Sequence, residues 1–154
     1  MNTYRLLISI IVCLAAGVIG SIFTTPNIPT WYALLHKPFF SPPNWIFAPV
    51  WTTLYILMGI SFYIIWEKGL RKNKTGVLFF ALQLILNILW SLLFFGLHNP
   101  LFGVICIVFL WASILATIIT FYRTSKAAGW LLVPYILWVS FASGLNYFVY
   151  ILNR

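Results

Sequence analysis

Aspartate is absent from this 154-residue chain, and Glu67 is its only carboxylate side chain. A Ser–His–Asp triad is therefore impossible, and so is a paired-carboxylate site. Cysteine and histidine are scarce too, at two each: Cys13, Cys106, His36 and His98. With Glu67 these are the whole supply of the usual metal-binding side chains. None stands at ligand spacing, so no metal is expected. Each cysteine lies inside an apolar run and reads as a small buried apolar group. Charge of either sign is rare, at 6% of residues, where a soluble domain carries about a quarter. So little polar surface would not keep a chain of this length dispersed in water.

What fills the sequence instead is hydrocarbon: 63% of residues are hydrophobic. A spanning helix needs about 20 consecutive apolar residues. Such runs occur at roughly 4–23, 45–66, 76–97, 101–122 and 127–151. The expectation is an all-α integral membrane protein, a five-transmembrane-helix bundle forming one domain over residues 1–154. Residues 24–44 form a capping loop. The first run has a basic residue, Arg5, but no A-x-A-like exit, so it reads as a retained span rather than a cleaved signal peptide.

The formal charge of +8 does not point to nucleic acid, because the bases punctuate apolar runs instead of clustering on a soluble face. Arg5, Lys68, Arg71, Lys72, Lys74, Arg123 and Lys126 fall on one side of the bundle. Lys37 and Arg154 fall on the other. The positive-inside rule puts the N-terminus in the cytoplasm and the C-terminus outside. The basic residues are also suited to anionic membrane lipid.

Between the first two spans runs WYALLHKPFFSPPNWIFAPVWTTLY, from Trp31 to Tyr55. A simple chain reversal would use a short polar loop. A long connection stiffened by proline and lined with aromatic rings suggests a structured cap. Gly96, His98, Asn99 and Pro100 stop one helix and restart the next. Pro49 falls in a first turn, where it is tolerated. Pro134 falls inside the fifth run and predicts a kink. Small residues recur four apart at Ala16/Gly20, Gly17/Ser21, Ala112/Ala116 and Ser140/Gly144. They predict close helix packing, chiefly within the bundle, with a homodimer contact as the lesser reading.

What the spans contain is amide and indole, on three helix faces. Gln83, Asn87, Trp90 and Phe94 share one face of the third span. Trp51, Tyr55, Met58 and Phe62 share one on the second. Trp138, Ala142 and Asn146 share one on the fifth. Amides in hydrocarbon are costly unless paired, so these faces must point inward. If the three converge they outline an aromatic cavity with a few polar fixing points. Such stripes more often serve packing, and Gln83 and Asn87 would then bond only to other helices. Trp31, Trp45, Trp66 and Trp130 lie near span ends and read as interfacial belt residues. Leu145, Tyr150 and Arg154 satisfy a loose cholesterol-recognition pattern that is frequent by chance.

The same residues resemble the translocator protein family, also called tryptophan-rich sensory proteins (TspO) or peripheral benzodiazepine receptors. The markers are Trp31-Tyr32, Leu35, Lys37-Pro38, Pro42-Pro43, Phe47, Pro49-Val50-Trp51, Leu54-Tyr55 and Met58-Gly59. Further along come Gln83, Leu86-Asn87, Trp90-Ser91, Phe94-Phe95-Gly96, Pro134-Tyr135, Trp138, Phe141-Ala142 and Leu145-Asn146. The resemblance covers nearly the whole chain. It implies a five-helix bundle, often dimeric, with a pocket for porphyrins and for benzodiazepine-type or isoquinoline carboxamide ligands. Its wall would include Tyr32, Pro42, Trp51, Gln83, Asn87, Trp90, Trp138 and Ala142. The family's cholesterol-motif tyrosine would fall at Tyr147, from which Arg154 is too distant to complete the pattern. Short tails resemble the bacterial members, in a cell membrane.

The resemblance implies a porphyrin-binding sensor, with porphyrin as ligand or substrate and no obligatory cofactor. In light- and oxygen-dependent porphyrin breakdown, Trp51 and Trp138 would be the catalytic electron donors, and Lys37 would meet the propionates. The competing readings are a carrier of porphyrins or other lipophiles and a regulatory scaffold that responds to its ligand.

Overall fold

The computed structural model describes residues 2–154. Six α-helices follow in order: α1 (Thr3–Thr24), α2 (Phe47–Lys68), α3 (Lys74–Ser91), α4 (Pro100–Thr124), α5 (Lys126–Leu131) and α6 (Val133–Leu152). With their flanking turns they make five segments long and apolar enough to cross a membrane, α5 and α6 together forming the fifth. The protein is an all-helical integral membrane bundle, with no strand among the described residues.

Asparagines start three of these helices. Asn2 accepts from the Arg5 amide, Asn73 from Gly76 and Asn99 from Phe102, each satisfying a donor that the first turn leaves free. Around the bundle α1 packs on α2 and α3, α4 packs on α3, α5 and α6, and α2 leans on α5 and hardly on α6. The second and fifth spans therefore touch at the end that carries the basic connections. They part at the other end.

Two local features depart from the sequence expectation. The third span stops being α-helical at Ser91, not near residue 97. It widens into a π turn over Leu92–Gly96, closed by the Leu97 amide donating to the Leu92 carbonyl at 2.8 Å. The extra residue in the turn lets two consecutive rings, Phe94 and Phe95, both be buried. The irregularity expected at Pro134 falls at Leu132, two residues before it, where one turn residue separates α5 from α6. Pro134 lies in the first turn of α6, where its missing N–H removes no helical bond.

The small residues of α1 face inward. A Cβ on Gly17 would stand 2.5 Å from the Tyr55 ring, and one on Gly20 3.1 Å from Ser91 Oγ. At Gly59 of α2 the obstacle is backbone: its Cβ would meet Ile10 Cα at 2.6 Å. The outer pairs behave otherwise. Ala112, Ser140 and Gly144 are exposed, and nothing lies within 4 Å of a Cβ placed on Gly144.

Gly59→Val should lower unfolding stability in detergent by about 1–3 kcal/mol, because backbone rather than a flexible side chain blocks the added carbons. Gly144→Ala should leave it unchanged. Thermal unfolding of the two purified variants checks the contrast.

Candidate functional site

Four side chains from three helices form a hydrogen-bonded chain in the middle of the bundle. Tyr55 Oη on α2 donates to Asn87 Oδ1 at 2.8 Å. Asn87 Nδ2 on α3 donates to Tyr135 Oη at 2.8 Å. Tyr135 on α6 donates in turn to Gln83 Oε1 at 2.8 Å, and Gln83 Nε2 rests 3.7 Å from Met58 Sδ. All of these groups are buried. Each amide oxygen and each tyrosine hydroxyl is thereby engaged away from hydrocarbon, as a membrane interior requires.

The upper part of this network, Tyr55 and Asn87, is the floor of a cavity of about 220 Å³. Its walls are aromatic and small. Trp51 and Tyr55 come from α2, Trp90 from α3, Phe94 from the π turn that follows it, and Trp138 and Ala142 from α6. The α1 side is Gly17, Gly20, Ser21 and Thr24. The lining residues that stay exposed include Ser21, Thr25, Asn44 and Ala48, so the mouth opens between the outer ends of α1 and α2. No charged side chain lines the cavity.

Neighbours fix the three indoles. Trp90 stacks on Phe94 at 5.3 Å and donates through Nε1 to Asn146 Oδ1 at 2.9 Å. Asn146 is held by the Pro100 carbonyl. Trp51 meets the Tyr55 and Tyr135 rings at 5.7 and 6.1 Å. Trp138 packs against Phe47 at 6.0 Å, but its buried Nε1 has no hydrogen-bond partner. A buried N–H without an acceptor is a costly exception in a folded protein. Here it belongs to a residue of the cavity wall.

The connection from residue 25 to 46 closes the top. Trp31 stacks on His98 at 4.8 Å, and His98 Nε2 sits 2.7 Å from Asn27 Oδ1. Tyr32 packs against Phe94 and Phe95. Burial raises its phenol above the usual value, so it remains a neutral hydroxyl. Lys37 Nζ lies 4.6 Å over the outer side of the Tyr32 ring. Phe40 wedges between Phe141 and Phe148. The last tie is Asn153, at the end of α6. Its Oδ1 accepts the His36 amide at 2.9 Å, and its Nδ2 donates to the His36 carbonyl at 2.8 Å.

Six of the eight wall residues expected from the sequence lie in the lining: Tyr32, Trp51, Asn87, Trp90, Trp138 and Ala142. The other two do not. Gln83 sits one turn deeper than Asn87, beneath the floor, with its carbonyl oxygen committed to Tyr135. Pro42 is a half-buried residue of the lid outside the lining. Trp31 is half-buried, its ring held by Phe94, Phe95 and His98. Trp45 and Trp130 are exposed at span ends. The α1 wall and the Asn153 tie had been missed. The spacing of Gly17, Gly20 and Ser21 had signalled packing only, and nothing local marks Asn153.

The remaining reactive groups lie elsewhere. Glu67 is bound to Arg5 at 3.0 Å, far down the bundle from the cavity. Cys13 and Cys106 are free and buried. No three His, Cys, Asp or Glu side chains come together among the described residues.

Comparison with known proteins agrees with this architecture. The TspO/MBR family matches residues 9–152. A tryptophan-rich protein TspO of Archaeoglobus fulgidus is 50% identical over 153 residues, 99% of each chain. Protein CrtK of Rhodobacter capsulatus is 40% identical, over 93% of this chain and 89% of its own. The human translocator protein is 35% identical, over 86% of this chain and 80% of its own.

Tyr135→Phe removes the one oxygen that serves both Asn87 and Gln83. It should cost about 1–3 kcal/mol of stability in detergent, more than Tyr55→Phe, which leaves only one acceptor unpaired. Asn153→Ala should speed hydrogen exchange at the His36 amide by about tenfold, while the Gly76 amide, capped by Asn73 at the far end, keeps its protection. Mass-spectrometric exchange reads both.

Proposed function

This chain belongs to the TspO/MBR family, and we propose that it binds a flat, largely apolar aromatic ligand of the porphyrin kind beneath its lid. The observation that carries this reading is the unpartnered Trp138 Nε1 in the wall of an uncharged cavity flanked by Trp51 and Trp90. A bound ring would stack on the indole faces, and an acceptor on it, a ring nitrogen or a carbonyl, would supply the missing bond. Benzodiazepine-type and isoquinoline carboxamide ligands share that description.

Size limits how a porphyrin would fit. Sites for drug-sized ligands measure about 300–1,000 Å³, and this cavity is about 220 Å³. A macrocycle would enter edge first between α1 and α2, or lift the lid. Either way its propionates stay outside the cavity, and Lys37 is the cation that the lid offers them. Trp51 and Trp138 then flank the buried edge. Light-excited porphyrin can take an electron from an indole and pass it to dioxygen as superoxide. The porphyrin then returns an electron to the indole radical cation, and the resulting porphyrin radical cation combines with superoxide, so that dioxygen oxidises the macrocycle and the indole is regenerated.

The sealed floor favours a sensor over a carrier. Tyr55, Asn87, Tyr135 and Gln83 close the route from the cavity to the basic end. We place the protein in the cell membrane with its basic end cytoplasmic, following the distribution of Lys and Arg.

Purified protein in detergent should quench protoporphyrin IX and tryptophan fluorescence saturably in the dark. Trp138→Phe should weaken binding about fivefold, the equivalent of one hydrogen bond. Under light and air a new absorbing product should form with wild type and fail to form with Trp51→Phe/Trp138→Phe. Absence of saturable quenching removes the binding reading. Saturable quenching with an unchanged product in the double variant removes only the photochemistry.

A further inference from the structure

The basic end of the bundle carries six cations with no counter-charge. Lys68, Arg71, Lys72, Lys74, Arg123 and Lys126 are all exposed. The chain's single carboxylate side chain, Glu67, is occupied by Arg5, and theirs is the only ion pair among the described residues. Setting topology requires only that these bases lie on one side of the membrane. It does not require that they lie together.

They are nevertheless held together. Asn73 stands between Lys72 and Lys74 and is buried. Its Oδ1 caps α3, while its Nδ2 donates to the Thr120 carbonyl and to Thr124 Oγ1, both at 2.9 Å. Thr124 follows Arg123 directly and stands two residues before Lys126. One buried amide thus staples the α2–α3 connection onto the α4–α5 connection and merges two basic loops into one patch. Gly76 leaves room for this staple, since a Cβ there would stand 2.4 Å from Asn73 Oδ1. Gly129 of α5 packs as closely against Tyr122 of α4. Tyr122 and Trp130 are exposed beside the patch, at the level where aromatic rings meet head groups.

We propose that this stapled patch is a binding site for anionic phospholipid head groups, with Lys72, Lys74, Arg123 and Lys126 as its phosphate-facing cations. The site lies at the opposite end from the cavity and does not depend on that cavity's ligand. Charge selects the partner: a phosphate diester in a membrane supplies the anion the protein lacks, and exposed rings at the span ends suit a lipid better than a soluble anion.

The test is native mass spectrometry of the full chain in neutral detergent. Dioleoylphosphatidylglycerol and dioleoylphosphatidylcholine would be added in parallel. Wild type should retain the anionic lipid about tenfold more tightly. The preference should vanish in Lys72→Gln/Lys74→Gln/Arg123→Gln/Lys126→Gln and persist in Lys37→Gln/Arg154→Gln. It should also vanish for wild type at about 1 M salt, where the screening length is only about 3 Å. That arm reads the site even if the fourfold variant does not fold. Equal retention of both lipids by wild type, or an unchanged preference in a folded fourfold variant, would overturn the proposal. So would displacement by inorganic phosphate or poly-glutamate at constant ionic strength, which would assign the patch to a soluble anion or an acidic protein.

Discussion

An amide side chain in hydrocarbon must find its partners within the protein, and Asn87 shows what that requirement organises. Its oxygen draws in Tyr55 from α2, and its nitrogen draws in Tyr135 from α6. Three helices that share no local sequence are thereby fixed in depth and rotation about one side chain. Trp51 leans on both tyrosines. The cavity stands on the network as on a floor. Loss of any member leaves a polar group with no water to turn to, so the network rigidifies as a unit.

The two ends of the bundle are built differently for a related reason. At the basic end every connection is short and stapled, by Asn73 and by the Arg5–Glu67 pair. At the other end α2 and α6 part, because the break at Leu132 redirects α6 after α5 has packed on α2. The gap is filled by rings and roofed by the lid. Small residues on α1 keep part of that gap open. The Gly17 and Gly20 positions admit no Cβ without displacing Tyr55 or crowding Ser91.

Periodicity made the five spans legible, along with the three inward faces and therefore the aromatic cavity. Hydrophobic pattern reports which side of a helix is buried. It does not report depth, and that is why Gln83 was expected in the wall. Gln83 and Asn87 share a face, yet one turn separates a floor residue from a residue beneath it. The π turn at Leu92–Gly96 escaped notice because its cause is the burial of two adjacent rings, a tertiary demand. Asn153 escaped because its partners are the backbone of His36, 117 positions away. Backbone partners leave no trace in side-chain chemistry. The resemblance to known relatives supplied which residues meet, whereas the residues alone supplied why they must.

A chain with one carboxylate, already bound to Arg5, brings no acid–base machinery to a ligand. What it brings is position. The floor is tied by a chain of hydrogen bonds, and the roof by few polar bonds. On the proposed function, the floor sets how deep an aromatic edge reaches, and the unpartnered Trp138 N–H sets which edge is held. The lid then sets whether a ring larger than the cavity can enter. Its apolar anchors, Trp31 on His98 and Phe40 between Phe141 and Phe148, tolerate sliding better than hydrogen bonds do. The directional ties are Asn27 to His98 and Asn153 to His36. Recognition in such a design depends less on charge than on how readily those two contacts release.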